Sequence, residues 1–118
     1  MNNFGDMTQM LELNDLNKKL GESVRLMARY GREYAQAERD YKVQLAQTAL
    51  KLRSEDMPVT LIDKVVYGKH EVADARFKRD VAETMYNASK ENINSLKLQI
   101  RILDAQIGRE WSQVRKEI

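Results

Sequence analysis

Basic side chains recur at helical spacing in the first half of the chain. Five of them share one side of an α-helix, and four of these are spaced seven residues apart: Lys18, Arg25, Arg29, Arg32 and Arg39. One interpretation is a solvated helix surface with ion pairs such as Arg25–Glu22 and Arg29–Glu33. The other is a row of contacts to nucleic-acid phosphates, for which the planar guanidinium is well suited.

The second half of the chain adds Lys97 and Arg101, one helical turn apart. With the five cations of the first half, they complete the set that we predict to contact nucleic acid. The tyrosines Tyr30, Tyr34 and Tyr41 recur at seam spacing, which favours core packing over the stacking of bases.

No group of residues has the pattern of an active site. His70 is the only histidine, and it lies beside Lys69 and Glu71, where a surface or capping role is expected. Gly68-Lys69 lacks the remainder of a phosphate-binding loop, and the chain has no cysteine. We therefore predict no enzyme activity, no metal site and no cofactor.

Composition indicates a folded helical chain in a reducing compartment. The 118 residues are 42% hydrophobic and 32% charged, with a formal net charge of +2 and one proline. The absence of cysteine fits a reducing cytoplasm. Neither a membrane span nor a signal peptide is expected.

The positions of these residues depend on two long helices. We predict one helical domain over residues 1–118, with helix one at about 8–53, a connector with a short helix at 54–69, and helix two at about 70–117. Pro58 ends helix one, because it disfavours α geometry at Met57. Gly21 and Gly31 mark a bend or a close helix approach, with a break at Gly21 as an alternative. The apolar connector is expected to fold back on the hairpin or to meet a second subunit.

Apolar residues of helix two keep a heptad register, and those of helix one alternate steps of three and four. This pattern predicts an all-α fold, a coiled-coil hairpin of two long antiparallel helices. Leu98, Ile102 and Ala105 widen the apolar face beyond one seam, so we expect a homo-oligomer. The predicted interface between copies is Ile93, Leu96, Ile100, Leu103, Ile107 and Trp111.

Five stretches resemble a family of small helical proteins from phages and prophages of Gram-positive bacteria. They cover parts of the region from Tyr30 to Trp111, about two thirds of the chain, and are Tyr30–Tyr34, Met57–Ile62, Ala75–Asp80, Leu98–Ile107 and Arg109–Trp111. Such proteins are generally encoded among early genes, near single-strand annealing or single-strand binding proteins. The layout is also similar to that of UvsY-type recombination mediators, which bind single-stranded DNA as closed oligomers and help to load a recombinase.

These observations lead to two main hypotheses about function. The first is a phage recombination or replication accessory protein that binds single-stranded DNA as a helical homo-oligomer and assists a recombinase or annealing protein. The second is a helical protein-interaction module, such as a phage inhibitor or adaptor that acts on a host defence or repair protein. A virion scaffold component is a third possibility. The sequence leaves open the oligomer number and the choice between a DNA and a protein partner.

Overall fold

The computed structural model describes residues 3–117, with side chains described for residues 7–116. Helix α1 spans Asn3–Ser54, α2 spans Val59–Val65, a 3₁₀ turn spans Val66–Gly68, and α3 spans His70–Glu117. Within the described residues there is no strand. The predicted all-α class, with two long helices and a short helical connector, is therefore confirmed. Helix α1 starts earlier than the sequence pattern suggested.

Helix α1 is continuous through both of its central glycines. Gly21 and Gly31 have helical backbone geometry, so there is no break at Gly21. Gly31 marks a close approach, since a Cβ atom added there would lie 3.2 Å from Cε1 of Tyr86 on α3. A Cβ at Gly21 would have only an ordinary contact, 3.8 Å from Nη1 of Arg25.

A Schellman motif ends helix α1. Asp56 takes a positive φ of 66°. The amide of Met57 donates to the carbonyl of Leu52 at 3.2 Å, and the amide of Asp56 donates to the carbonyl of Arg53 at 3.1 Å. These two bonds satisfy carbonyls that the helix end would otherwise leave unpaired. Pro58 then takes the N-cap position of α2, with φ −59° and an extended ψ of 140°, and its carbonyl accepts from the amides of Leu61 at 2.9 Å and Ile62 at 3.0 Å.

The chain divides into two compact units, and each combines one section of α1 with one section of α3. Unit 1 comprises Met1–Met27 with Ser89–Ile118, and unit 2 comprises Ala28–Ala88. In unit 1 the helix sections run antiparallel, because Gln9 donates to Glu110 at 3.0 Å and Asn92 donates to Ser23 at 3.1 Å.

The core of unit 1 is a leucine seam. Leu16 of α1 is buried against Leu96 and Leu103 of α3. Partly buried side chains extend this cluster on both sides, namely Leu13, Leu20, Ile100 and Ile107. Each fully buried leucine contributes about 1.5–3 kcal/mol relative to an exposed one.

The core of unit 2 includes the connector. Ile62 of α2 and Val66 of the 3₁₀ turn are buried in one cluster with Leu52 of α1 and Val72 of α3. Burial of these two residues shows that the apolar connector folds back onto the ends of the long helices. Val72 has no exposed surface and marks the centre of this cluster.

An arginine occupies one position of the unit 2 seam. The Arg79 guanidinium carbon lies 4.6 Å from the ring centroid of Tyr41, and its nitrogens lie 3.5 Å from Glu38 and 2.8 Å from Asp80. The hydrogen bond to Asp80 raises the pKa of Arg79, despite an opposing contribution from desolvation. A cation is tolerated in this apolar seam because the ring and two carboxylates replace its water.

Candidate functional site

Three of the predicted nucleic-acid contacts lie on the exposed face of α1 in unit 2. Arg29 donates to Glu33 at 3.1 Å, and this hydrogen bond raises the pKa of Arg29. Arg39 lies 4.0 Å from Asp40. Arg32 forms no ion pair within the part of the chain that the structure describes. In this unit, therefore, only one of the three cations has no carboxylate partner.

The four predicted contacts of unit 1 have a simpler environment. Lys18, Arg25, Lys97 and Arg101 are all exposed. Among the described residues none of the four forms an ion pair, so the suggested Arg25–Glu22 bridge is not present. A phosphate approaching one of these cations does not have to displace a carboxylate of the described residues.

Net charge is small in both units. Residues 1–27 and 89–118 carry nine Lys and Arg against eight Asp and Glu, while residues 28–88 carry eleven against ten. Long-range attraction of a polyanion is therefore weak. Any phosphate affinity must come from local contacts, and these are strongly screened by salt.

The residues predicted to join copies have a different main contact. Ile93, Leu96 and Leu103 are buried within the single chain. Ile100 and Ile107 are partly buried and pack against the unit 1 cluster that contains Leu16. Their apolar surface is largely covered by α1, so a second copy would mainly contact their exposed neighbours.

Trp111 is the exception among the predicted interface residues. It keeps 54% of its surface exposed, on α3 in unit 1. Leu98 and Ile102, from the predicted wider apolar stripe, are also exposed. These three side chains are available to a partner, whether that partner is a second copy or another protein.

Sequence reasoning missed one exposed apolar row in unit 2. Phe77, Val81 and Met85 lie on α3 at intervals of four residues and are all exposed. The signal was a second apolar periodicity, offset from the seam residues Ala75 and Ala82, within the same helix. We call these three residues the outer row of α3.

The described residues offer little that could perform chemistry. No group of three His, Cys, Asp or Glu side chains among them is placed to hold a metal ion. His70 is exposed on the surface, with its Nε2 3.1 Å from Asp74. A groove of about 340 Å³ in unit 2 is lined by Lys51 and Lys69 and also by Glu55 and Glu71, so its charges favour neither sign of ligand.

Two further observations concern membranes and relatives. Within the described residues, no helix has a stretch that is both long and apolar enough to span a bilayer. Comparison of the chain with protein-family models, with curated proteins and with solved structures gives no match.

Proposed function

We propose that this protein is a phage recombination or replication accessory protein that binds single-stranded DNA as a homo-oligomer and assists a recombinase or annealing protein. It acts without enzyme activity or cofactor, in the cytoplasm of the bacterial host. The observation that carries the proposal is a set of exposed cations in unit 1 that form no ion pair with any described residue: Lys18, Arg25, Lys97 and Arg101. The resemblance to early-region phage proteins supports the choice of DNA as the anion.

The proposed contact of these four cations is with the sugar–phosphate backbone, and Tyr30 and Tyr34 do not add base stacking to it. Tyr30 and Tyr34 are partly buried, and the ring of Tyr34 lies 6.1 Å from that of Tyr86, centroid to centroid. Base stacking requires an exposed ring face. Binding is therefore expected to be independent of base sequence, and repetition of weak contacts along an oligomer provides the affinity.

A charge-matched pair of variants tests the assignment. The test variant replaces the four unit 1 cations with alanine: K18A, R25A, K97A and R101A. The control replaces two lysines and two arginines that are exposed in unit 2 and were not predicted to bind: Arg53, Lys64, Arg76 and Lys78. Both variants lose four positive charges, so only the position of the lost charge differs.

Fluorescence anisotropy with a labelled oligonucleotide measures the result. Each lost phosphate contact removes about 0.7 from the slope of log K against log salt for a single strand. Loss of all four contacts would make the slope less steep by about 3. The control variant should retain a much larger share of the wild-type slope. Equal affinity losses in the two variants would show that position does not matter and would contradict the assignment.

The alternative function is a protein-interaction module that acts on a host defence or repair protein. Its support is the exposure of large apolar side chains, including Trp111 and Phe77. Trp111→Ala distinguishes the two functions. Loss of a stoichiometric host protein from a pull-down, combined with no DNA binding by the wild type at low salt, would favour the module.

A further inference from the structure

A groove with basic side chains lies near the carboxyl end of α3 in unit 1. Its volume is about 420 Å³, and its described lining consists of Arg109, Ser112, Gln113 and Lys116. Three or four residues separate the successive spiral neighbours in this set, so the four side chains share one face of the helix. All four residues are exposed. We call this site the basic groove, and it is open to a ligand from solvent.

The described lining of the basic groove contains no carboxylate. Two other grooves differ in this respect. The groove of about 340 Å³ in unit 2 has two glutamates beside its two lysines, and a groove of about 240 Å³ elsewhere in unit 1 has Glu12 and no cation. In the basic groove Arg109 and Lys116 supply positive charge, while the hydroxyl of Ser112 and the amide of Gln113 supply neutral hydrogen-bond donors. Cations beside neutral donors are the groups that bind phosphate oxygens in nucleic-acid complexes.

The positive charge of Arg109 is not neutralised by its own helix. The residues three and four positions before and after it carry no charge: Ala105, Gln106, Ser112 and Gln113. Its sequence neighbour Glu110 is half-buried, and Oε1 of Glu110 accepts a hydrogen bond from Gln9 of α1 at 3.0 Å. Neither Arg109 nor Lys116 forms an ion pair with any described residue. An anion in the basic groove therefore meets two cations and no competing carboxylate of the described lining.

This environment differs from that of other exposed cations on α3. Arg76 and Lys78 in unit 2 also form no ion pair among the described residues. Each of them, however, has an aspartate four residues away on the same helix, Asp80 for Arg76 and Asp74 for Lys78. A carboxylate at that distance lowers the positive potential that attracts an anion. The basic groove is thus distinguished by the lack of a carboxylate within one turn of Arg109, rather than by the lack of an ion pair.

The carboxyl end of a helix carries partial negative charge, which opposes the binding of an anion there. Helix α3 spans His70–Glu117, so Lys116 lies in its last turn together with Arg115. These two cations offset the partial charge of the helix end. Arg109 lies about two turns further from the end, where the effect of the helix dipole has fallen off. The part of the basic groove beside Arg109 is therefore the most favourable position for a phosphate.

We infer that the basic groove is a further phosphate-binding subsite for the single strand, which continues the path of Lys97 and Arg101 along α3. This inference rests on the proposed function and extends its binding surface. Arg109 follows Arg101 by about 12 Å along the helix axis, at 1.5 Å per residue. The whole path from Lys97 to Lys116 is then about 29 Å long. Proteins that bind single strands without sequence preference use positively charged surfaces of this kind, which follow the backbone.

Fluorescence anisotropy with a labelled single-stranded oligonucleotide tests the subsite. The variant R109Q/K116Q removes both cations of the basic groove, while the control R76Q/K78Q removes one arginine and one lysine from exposed positions of unit 2. R109Q/K116Q should make the slope of log K against log salt less steep by about 1.4, which is about 0.7 for each lost contact. The control should keep a slope close to that of the wild type. Q113E keeps both cations but places a carboxylate within one turn of each, so it should also weaken binding.

Far-UV circular dichroism verifies that all three variants are as helical as the wild type. An unchanged slope in R109Q/K116Q, the same change in the control, or unchanged affinity in Q113E would overturn the subsite and leave the proposed function standing. A wild type that does not bind the oligonucleotide at low salt would contradict both. If such a wild type bound vesicles of an anionic phospholipid, the groove would be assigned to a lipid headgroup, and the inference would again be overturned.

Discussion

Substitution of Gly31 by alanine should not stabilise the protein, although the same change at Gly21 should. In a helix interior alanine is favoured over glycine by about 1 kcal/mol. At Gly21 the added Cβ would lie 3.8 Å from Nη1 of Arg25, an ordinary contact with a flexible side chain. G21A should therefore gain most of that 1 kcal/mol in the free energy of unfolding.

At Gly31 the added methyl group meets an aromatic ring. It would lie 3.2 Å from Cε1 of Tyr86 and 3.6 Å from Cδ1 and Cζ. Tyr86 would have to shift by a few tenths of an ångström, but its ring packs beside Tyr34 at a centroid distance of 6.1 Å. Overpacking typically costs about 1–3 kcal/mol. The helix-propensity gain is then cancelled or exceeded, and G31A should be about 1–3 kcal/mol less stable than G21A.

Urea unfolding followed by far-UV circular dichroism measures the difference, at one protein concentration so that self-association contributes equally. A double-mutant cycle with Tyr86→Ala isolates the ring contact, because G31A should become stabilising once the ring is absent. An equal gain for G31A and G21A in the wild-type background would refute the close approach of α1 to α3 at Gly31.

Three further substitutions have definite expected outcomes, each measured by urea unfolding. A double-mutant cycle with Arg79→Met and Tyr41→Leu should give a coupling energy of about 0.5–2 kcal/mol for the cation–π contact, and a coupling energy of zero would contradict that contact. Leu103→Ala should lower the free energy of unfolding by about 2–4 kcal/mol because the side chain is buried. Leu98 is exposed, so Leu98→Ala should change it by less than about 0.5 kcal/mol. Equal losses in the two variants would contradict the burial of Leu103 in the seam. Burial, and secondarily the nearby carboxylates, raise the pKa of Tyr34. The stability that the neutral phenol contributes is therefore complete below pH about 10 and is lost as the pH rises through the raised pKa. Tyr34→Phe should lessen this alkaline loss of stability, and a pH profile identical to that of the wild type would refute the prediction.

The seam was predictable because it depends on periodicity alone. Apolar residues recur at intervals of three and four positions along a chain of good helix formers. Four of them are buried as this pattern predicts: Val72, Ile93, Leu96 and Leu103. The presence of Arg79 in the seam looked like an interruption. Its accommodation depends on Tyr41, a residue 38 positions away in the sequence, and such a pairing is not visible to local pattern analysis.

Other features depend on backbone or side-chain choices that the sequence does not specify. Asp56 adopts a positive φ, a conformation for which glycine is the usual residue, so the Schellman motif had no local signal. Of the two proposed ion pairs on α1, Arg29–Glu33 forms, while Arg25–Glu22 is absent among the described residues. Exposed pairs of this kind have interaction energies near zero, so composition cannot decide between them. This matters for the candidate site, because the four cations proposed to bind DNA form no ion pair with any described residue.

The most direct test of the proposed function is titration of wild-type protein into a labelled single-stranded oligonucleotide at low and moderate salt, followed by fluorescence anisotropy. The account predicts binding in the micromolar range or tighter at low salt, weakened steeply as salt rises because each contact releases counterions. Absence of binding at low salt, or binding that salt leaves unchanged, would contradict contact through Lys18, Arg25, Lys97 and Arg101.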